Sequence, residues 1–447
     1  VSSIRIQGRN IRLAEGSLAL LQNAGFTETG NIDVFASQKI NIKGINPAGN
    51  ISSGLLNEAI TLGKGGDITA QADEIHIVGG GAILTRTFSN AAGGDIAIRA
   101  SDRVEVTGFP PRNPTFVSNI TASSFDGGTS GNIEVTTKRL LARDGGIVGS
   151  ATFGRGNGGN VQVTASRSVE VTGVEPSRFA PSSVSAATFN AGNAGSLRID
   201  TEVLRVGNGG RVDSSTVASG AAGSVLVNAR DRIEVQGTVP GSVNPSIIIS
   251  SANKVDPAIQ ELFGLSPIPR GASGNVTLNT PFLSIRDGAL ANVRNDGTGD
   301  AGRLQVTANS IQLRDGGGIT AATAAGNGGN ITLQTQRLQL SGNAQLSAAA
   351  GETGNGGNVA IFTELLTLLN RSKITANAFE GLGGNIQITT QGWFLSHGSA
   401  ITASSQLGVD GLVNISEPEL DPSAGLLNVE TKINQQPPVV VSACDRS

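Results

Sequence analysis

Short runs in which apolar and polar residues alternate dominate this chain. Between two opening glycines, residues 330–334 and 337–340 alternate strictly, and residues 344–348 form a weaker third run. Alternation over about five residues predicts a half-buried β-strand, because successive side chains of a strand point to opposite faces. The apolar spacing i, i+3, i+4, i+7 that marks an amphipathic helix is nearly absent.

The same three runs return along the chain at a fixed interval. Each copy opens with a glycine, continues with a small or polar residue and alternating apolar residues, and closes with a glycine-rich loop. Consecutive opening glycines are 27 or 28 residues apart in the basic copies, and longer copies alternate with these through the first half. The opening glycines are Gly30, Gly66, Gly94, Gly131, Gly159, Gly195, Gly223, Gly274, Gly302, Gly329, Gly357 and Gly384, with a degenerate copy at Gly411.

Three short strands per period, joined by glycine-rich corners, predict one coil of a parallel β-helix. A single coil cannot bury its own apolar face, so coils stack and their core becomes continuous. We therefore predict an all-β fold, a right-handed parallel β-helix of about 13 coils, roughly 60 Å long at about 4.8 Å per coil. The repeat occupies residues 1–411, and residues 412–447 are predicted to form a C-terminal cap and a Pro-rich tail.

Equivalent apolar residues of stacked coils should form ladders along the solenoid. Most of them are β-branched, as suits stacked pleated strands. The ladder predicted for the first strand is Ile32, Ile68, Ile96, Ile133, Val161, Leu197, Val225, Val276, Leu304, Ile331, Val359 and Ile386. The ladder predicted for the second strand is Ile77, Val106, Val171, Val206, Val235, Ile285, Leu313 and Leu340.

The corners of the coils have a composition of their own. Asn or Asp follows most opening glycines, and these side chains bond neighbouring amides and tolerate left-handed backbone. We expect them to bond along the stack, and we expect the glycines beside them to supply positive φ. Several coils carry a phenylalanine at the same repeat position, just before the glycine loop, and this recurrence predicts a partial aromatic stack. The residues are Phe88, Phe125, Phe153, Phe189 and Phe379.

Four coils carry insertions, which the pattern assigns to one corner, after the second strand. Insertions in a solenoid map to one face, often the binding face. In the longest insertion, Asp256 before Pro257 is a helix-start signal that predicts one or two helical turns. The extended stretches lie near residues 44–54, 108–118, 173–183 and 237–274. The candidate partner-binding residues on this insertion face are Phe109, Phe116, Phe179, Leu262 and Phe263.

Composition narrows the chemistry that the chain can perform. Charged residues make up 15% of it and the net charge is only −3, which offers no electrostatic basis for binding nucleic acid. No run of roughly 18 apolar residues exists, so no transmembrane helix is predicted. A single cysteine, Cys444, and two histidines at different coil positions, His76 and His397, suggest no metal site, and we predict no cofactor.

An enzyme is the main alternative, because polysaccharide lyases and hydrolases often use β-helices. Such chemistry needs carboxylates, usually paired. The best candidates, Asp144, Asp287 and Asp315, recur within Arg-Asp-Gly at one position of the repeat. Because Asp-Gly is typical of turns, this recurrence favours a periodic turn over an active site.

The repeats resemble those of filamentous-haemagglutinin-like exoproteins, especially the cyanobacterial ones. Two copies carry the likeness, residues 158–164 (Gly-Gly-Asn-Val-Gln-Val-Thr) and 314–319 (Arg-Asp-Gly-Gly-Gly-Ile). The stretch 417–426 and the cysteine-containing tail after it are similar to the way those proteins approach their C-terminus. The likeness covers essentially the whole chain, although an N-terminal secretion domain is not recognisable.

The resemblance implies a large protein that is exported through an outer-membrane partner pore by two-partner secretion. It implies a place outside the cell, on the outer surface of a Gram-negative-type bacterium, and a role in adhesion to glycans or proteins of surfaces, other cells or matrix. A stalk that delivers a toxin by contact is a further alternative. The chain has no Met, so we expect it to be a piece of something longer.

Overall fold

The computed structural model describes residues 2–416 except 243, 256, 258, 259, 262 and 263. In this part of the chain, short parallel strands follow one another in stacked coils. The strands of the first eight coils are β1 (Ile4–Ala14), β2 (Leu18–Asn23), β3 (Ile32–Lys43), β4 (Gly54–Ala59), β5 (Ile68–Val78), β6 (Ala82–Thr87), β7 (Ile96–Thr107), β8 (Asn119–Ser124), β9 (Ile133–Arg143), β10 (Ile147–Thr152), β11 (Val161–Thr172), β12 (Val174–Glu175), β13 (Ala180–Pro181), β14 (Ser183–Thr188), β15 (Leu197–Gly207), β16 (Arg211–Asp213), β17 (Val225–Gln236) and β18 (Ile247–Ile249).

The second half of the described chain has shorter strands. They are β19 (Val276–Asn279), β20 (Phe282–Arg286), β21 (Leu290–Asn292), β22 (Leu304–Thr307), β23 (Ser310–Arg314), β24 (Gly318–Thr320), β25 (Ile331–Gln334), β26 (Arg337–Ser341), β27 (Gln345–Ser347), β28 (Val359–Phe362), β29 (Leu365–Leu368), β30 (Lys373–Thr375), β31 (Ile386–Thr389), β32 (Gly392–Leu395), β33 (Ala400–Thr402) and β34 (Val413–Ser416).

Two long parallel sheets run along the stack and confirm the predicted parallel β-helix. The first and second runs of every coil enter a 19-stranded sheet, and the third run enters a 13-stranded sheet. Each coil contributes one strand to the 13-stranded sheet, so the described residues form 13 coils, and β34 begins another turn. Coils are numbered below by this sheet, from β2 in coil 1 to β33 in coil 13.

The register of the strands confirms both predicted ladders. Ile32 pairs with Ile68, and the same register continues coil by coil to Ile386. In the second ladder, Ala142 occupies the rung between Val106 and Val171 that the pattern had left empty. All these side chains are buried, and together they form one continuous core.

The three-strand description of a coil is correct only for the second half of the stack. In coils 1–8 the first two runs merge into single strands of 11 or 12 residues, such as β3 and β5. The register shifts within them, for example between Phe35 and Lys39, where the strand turns from one face of the coil to the next. A local irregularity in register of this kind allows a strand to bend.

The opening glycines are required for a different reason from the one predicted. None of the thirteen has positive φ; instead their Cα atoms approach the neighbouring coil closely. A Cβ atom on Gly159 would lie 2.0 Å from the carbonyl oxygen of Gly131, and one on Gly131 would lie 1.8 Å from that of Gly94. Since real Cβ atoms do not approach so closely, stacking of the coils itself excludes every side chain at this position.

The Asn and Asp residues beside these glycines form the predicted ladder through backbone donors. The amide N–H of Asn160 donates to Asn132 Oδ1 at 2.9 Å, and Asn160 Oδ1 accepts from the N–H of Ser196 at 2.8 Å. Asp67 accepts in the same way from the N–H of Asp95 at 2.8 Å. Only an acceptor oxygen is needed, and therefore either Asn or Asp can occupy this position.

Residues 237–274 contain two insertions rather than the single one predicted. Residues 237–246 occupy the corner after the second strand, whereas residues 253–270 follow β18 and lie at the glycine corner. The second one contains the predicted helical turn, since Pro257, Gln260 and Glu261 are helical. The candidate residues Leu262 and Phe263 lie outside the described residues.

The last full coil leaves part of its core uncovered. Trp393 and Leu395 of β32 are in register with Leu366 and Leu368, the core residues of the preceding coil. Both are nevertheless exposed, Trp393 at 44%, because among the described residues β34 pairs with β31 and no later strand pairs with β32. Apart from β34, the predicted cap at 412–447 lies outside the described residues, so the covering of this end stays a prediction.

Candidate binding surface

Four insertion loops line one corner of the stack in alternate coils. They comprise residues 44–53, 108–118, 173–182 and 237–246, in coils 2, 4, 6 and 8, and we call them the insertion ridge. Their sequences share a frame: glycine opens each loop, proline follows three residues later, and serine closes it. Three of the loops are small antiparallel hairpins, closed by β12 with β13 and by the bridges Ile45–Ser52 and Thr238–Pro245.

The closing serine ties each loop to the preceding coil. Ser118 Oγ donates to the carbonyl of Thr107 at 2.8 Å and accepts from the N–H of Gly80 at 3.0 Å. The four serines are all fully buried, so both bonds satisfy groups that water does not reach. The same pair of bonds is made by Ser53, Ser182 and Ser246.

Neighbouring loops also hold the tight turn of the coil between them. A Cβ atom on Gly209 of coil 7 would lie 2.7 Å from Val174 and 2.8 Å from Val239, which belong to the loops on either side. Across coil 3, Asn113 Nδ2 donates to the carbonyl of Gly49 at 3.0 Å. The loops therefore form a continuous, supported ridge rather than independent flexible tips.

The third loop contains a buried carboxylate. Glu175 is fully covered, and its oxygens accept from the N–H groups of Ser177 at 2.7 Å and Arg178 at 3.0 Å. Burial raises the pKa of Glu175, but the hydrogen bonds from Ser177 and Arg178 outweigh burial and hold the pKa below its ordinary value. The turn ends at Phe179, whose φ of 56° is uncommon for a bulky side chain.

The structure places the three described candidate residues within the ridge, half-buried. Phe109 and Phe116 stand at the two ends of the second loop, and the Phe179 ring lies against Gly241 of the fourth loop. Part of each ring thus supports the ridge, and the remainder is available to a partner.

The most regularly exposed residues of the ridge were missed by the sequence analysis. They are the third residues after the first glycine of each insertion loop, and they lie 64 or 65 residues apart, or two coils along the stack. A search at twice the coil period would have found them, together with the closing serines. These exposed residues are Pro47, Pro111, Pro176 and Pro240.

The Arg-Asp-Gly carboxylates occupy turns at the same corner in coils without insertions. Asp144, Asp287 and Asp315 have φ between 50° and 58°, and each is followed by a glycine that also has positive φ. Two consecutive residues with positive φ define a type I′ turn, in which Asp and Gly are preferred. These aspartates therefore recur for a backbone reason, as predicted.

The two histidines lie ten coils apart, in coils 3 and 13. His76 points outward and contacts Glu74 at 2.9 Å and Glu105 at 3.2 Å, and Arg103 contacts Glu74 at 3.1 Å. Burial raises the pKa of Glu74, but hydrogen bonds from His76 and Arg103 hold it below its ordinary value. This half-exposed network pairs charges between neighbouring coils, a contact that contributes modestly to stability.

Four phenylalanines form the predicted aromatic stack beyond the other end of the 13-stranded sheet. The ring centroids of Phe88 and Phe125 are 4.9 Å apart, those of Phe125 and Phe153 5.2 Å, and those of Phe153 and Phe189 4.9 Å. Adjacent planes differ by at most 13°, so the rings are stacked along the solenoid. Phe379 is 40% exposed, in coil 12, and lies apart from this stack.

The described ranges contain neither a cluster of metal-ligating side chains nor a membrane-spanning helix. No group of three or more His, Cys, Asp or Glu side chains there could hold a metal ion. No helix in the same ranges is both long and apolar enough to cross a membrane.

Comparison with known proteins found no match for the chain among family models, curated proteins or solved structures.

Proposed function

We propose that this chain is a structural and adhesive stalk of an exported, surface-exposed protein, with the insertion ridge as its contact surface. The observation that supports this proposal is the regular spacing of the four loops of the insertion ridge. Four loops with one sequence frame project at intervals of two coils, roughly 10 Å, from coils that stack in one continuous parallel register. Rigidly spaced loops offer a partner several equivalent contacts at once, and multivalent contact raises avidity without any single strong site.

The construction of the ridge supports this role. Buried serines and contacts between loops hold it in place, so little conformational entropy is lost when a partner binds. The exposed groups at its surface are mainly proline, arginine and small polar residues, for instance Pro111, Arg112, Pro176 and Arg178. Export through an outer-membrane pore, by a domain elsewhere in the protein, belongs to the same proposal.

The experiment is a comparison of adhesion between the chain and a variant without the ridge. Each insertion is replaced by Asp-Gly-Gly, the sequence of residues 144–146 that closes the same corner in coil 5. The variant should keep the solenoid, because coils without insertions already use this turn. Beads coated with the unmodified chain should bind bacterial cells and extracellular matrix, and beads coated with the variant should bind several-fold less.

Two controls make the comparison decisive. Far-UV circular dichroism must show unchanged strand content, and variants that retain one or two loops should bind to intermediate extents. Equal binding by the folded four-loop variant would refute the ridge as the contact surface. Detection of the protein only inside the producing cell would refute the exported stalk.

A further inference from the structure

The outer face of the 13-stranded sheet lies between the insertion ridge and the aromatic stack. In coils 4 and 6, the strands β8 and β14 begin directly after the closing serine of a loop and end directly before a stacked phenylalanine. Each strand has six residues, so the ridge and the stack are separated by roughly 20 Å. This face is distinct from the surface of the ridge itself.

Short side chains form the centre of this face. Because side chains alternate along a strand, the outward row that ends in Phe125 contains Thr121 and Ser123. The same two positions are Gly149 and Ala151 in β10, and Ser185 and Ala187 in β14. These six residues form the floor of what we call the trough.

The trough is shallow, and its central part carries no charge. Ser123 and Ala187 point outward but are only 8% exposed, whereas Phe125 beside them is 42% exposed, so the floor lies below the aromatic wall. No strand of coils 4–6 in this sheet contains a charged residue. Charged pairs flank the uncharged part: Arg86 with Glu58 at 3.5 Å towards coil 2, and Arg211 with Asp213 at 2.7 Å in coil 7.

The chemistry of the trough selects one class of ligand. An uncharged floor offers nothing to compensate the desolvation of an ionic ligand, so the ligand should be neutral. The stacked rings present their edges outward, and ring edges carry partial positive charge that favours electronegative oxygen atoms. The hydroxyls of Thr121, Ser123 and Ser185 add donors and acceptors along the same direction.

An extended peptide fits these features less well. Peptides that bind sheets usually add a strand by main-chain hydrogen bonds at an exposed edge. Strands β8, β10 and β14 are each paired on both sides, so their backbone groups are already bonded. A sugar chain needs no such pairing, because its hydroxyls and ring oxygens can use side chains alone.

We propose that the trough of coils 4–6 binds an uncharged polysaccharide that lies parallel to the solenoid axis, between the ridge and the aromatic stack. The binding site extends the proposed adhesive function, but it does not depend on the ridge as a contact surface. The rings of Phe125, Phe153 and Phe189 in these coils span two coil spacings, roughly 10 Å, which gives room for a short segment of the glycan chain.

Isothermal titration calorimetry on the full chain tests the proposal with cellohexaose, xylohexaose and maltohexaose, and with polygalacturonate as the anionic comparison. At least one neutral hexasaccharide should bind, and polygalacturonate should not. The double variant Phe125→Ala, Phe153→Ala should bind at least about tenfold more weakly, as for central aromatic contacts elsewhere. Phe379→Ala is the matched control, since it removes a similarly exposed ring outside the stack, and it should not change the affinity.

A second variant separates binding from folding. Ala151→Glu introduces a charge and bulk into the floor without removing a ring of the stack, and it should also abolish binding. If no neutral hexasaccharide binds, or if both variants bind as the unmodified chain does, the proposal is wrong. It is equally wrong if poly-L-proline binds in the trough and the sugars do not.

Further readouts separate this proposal from the proposed function. The four-loop variant used for the adhesion assay should still bind the hexasaccharide if the trough is an independent site. Loss of adhesion with retained sugar binding therefore supports both proposals, whereas retained adhesion with retained sugar binding supports the trough alone. The hexasaccharide should be recovered intact by chromatography. Its cleavage would favour the alternative hypothesis that the chain is an enzyme over both proposals.

Discussion

At the scale of single residues, contact between coils decides more than local backbone preference. The opening glycine has an ordinary φ and is required because the carbonyl of the preceding coil occupies the space of its Cβ atom. The aspartates of the Arg-Asp-Gly turns show the opposite case, in which positive φ selects the residue. Both kinds of position recur at fixed places in the repeat, so sequence periodicity alone does not distinguish them.

Replacing an opening glycine tests this distinction. Gly159→Ala should lower the free energy of unfolding by at least about 1–3 kcal/mol, because the new methyl group would overlap the carbonyl of Gly131 and force the coils apart. Gly207→Ala is the control, since its Cβ atom would have no neighbour closer than 3.5 Å. Urea denaturation of both variants measures the difference. Equal stability would mean that the coils adjust to a side chain at this corner.

At the scale of elements, the insertion loops are built from buried polar bonds rather than from an apolar core. Ser118 joins two backbone groups, and Glu175 accepts two amide donors, inside loops that contain few buried apolar side chains. Such bonds specify one conformation, because a buried donor or acceptor without its partner is costly. The sequence contained the signal for these serines, but only at twice the coil period.

The carboxylate of Glu175 should make the third loop sensitive to acid. Its pKa in the folded chain is lower than in the unfolded chain, so its contribution is complete above the unfolded value of about 4.3. That contribution is lost as the pH falls through the lower, folded value. Glu175→Gln should destabilise the loop by about 1–3 kcal/mol at pH 7 and reduce its loss of stability on acidification.

Limited proteolysis within residues 173–182 between pH 7 and pH 3 measures this effect. Glu380→Gln, at an exposed position, controls for the removal of a negative charge. An unchanged pH dependence in Glu175→Gln would show that the buried carboxylate does not determine the acid response of the loop.

At the scale of the whole molecule, each coil stacks on the coils next to it, and the insertion loops add contacts across one intervening coil. The 13-stranded sheet runs in strict order from β2 to β33, and one core connects all the coils. In such an architecture stability is approximately a sum of coil and interface contributions. The insertion ridge, the trough and the charged network around His76 are therefore local features of a repeating support.

Removing one whole coil should leave the solenoid intact. Deleting residues 302–328 joins Ala301 to Gly329. Gly329 would then pack against the carbonyl of Gly274, in the position that Gly302 now occupies. The variant should fold with unchanged circular dichroism per residue and a rod shorter by about 4.8 Å in small-angle scattering. Deleting residues 302–315, half a coil, is the control and should disrupt packing, because it breaks the register of every later strand. A folded half-coil variant would contradict a register determined by the repeat.

Periodicity in the sequence determined the architecture of this protein. Alternating apolar residues that recur every 27 or 28 residues determined the coil and both core ladders. The same period determined the Asn and Asp ladder and the stack from Phe88 to Phe189, because stacking similar coils places equivalent residues next to one another. The turns at Asp144, Asp287 and Asp315 were equally predictable, since Asp-Gly is a local preference.

Only the tertiary structure decided what depends on contacts between different coils. It showed that the opening glycines face a carbonyl, that residues 237–274 divide between two corners, and that Ser118 and Glu175 are buried. It also brought the stack, the short residues of the floor and the insertion ridge to one face. These relations join residues from neighbouring coils, which a strand pattern read along one coil does not contain, because the side chains meet only across the stack.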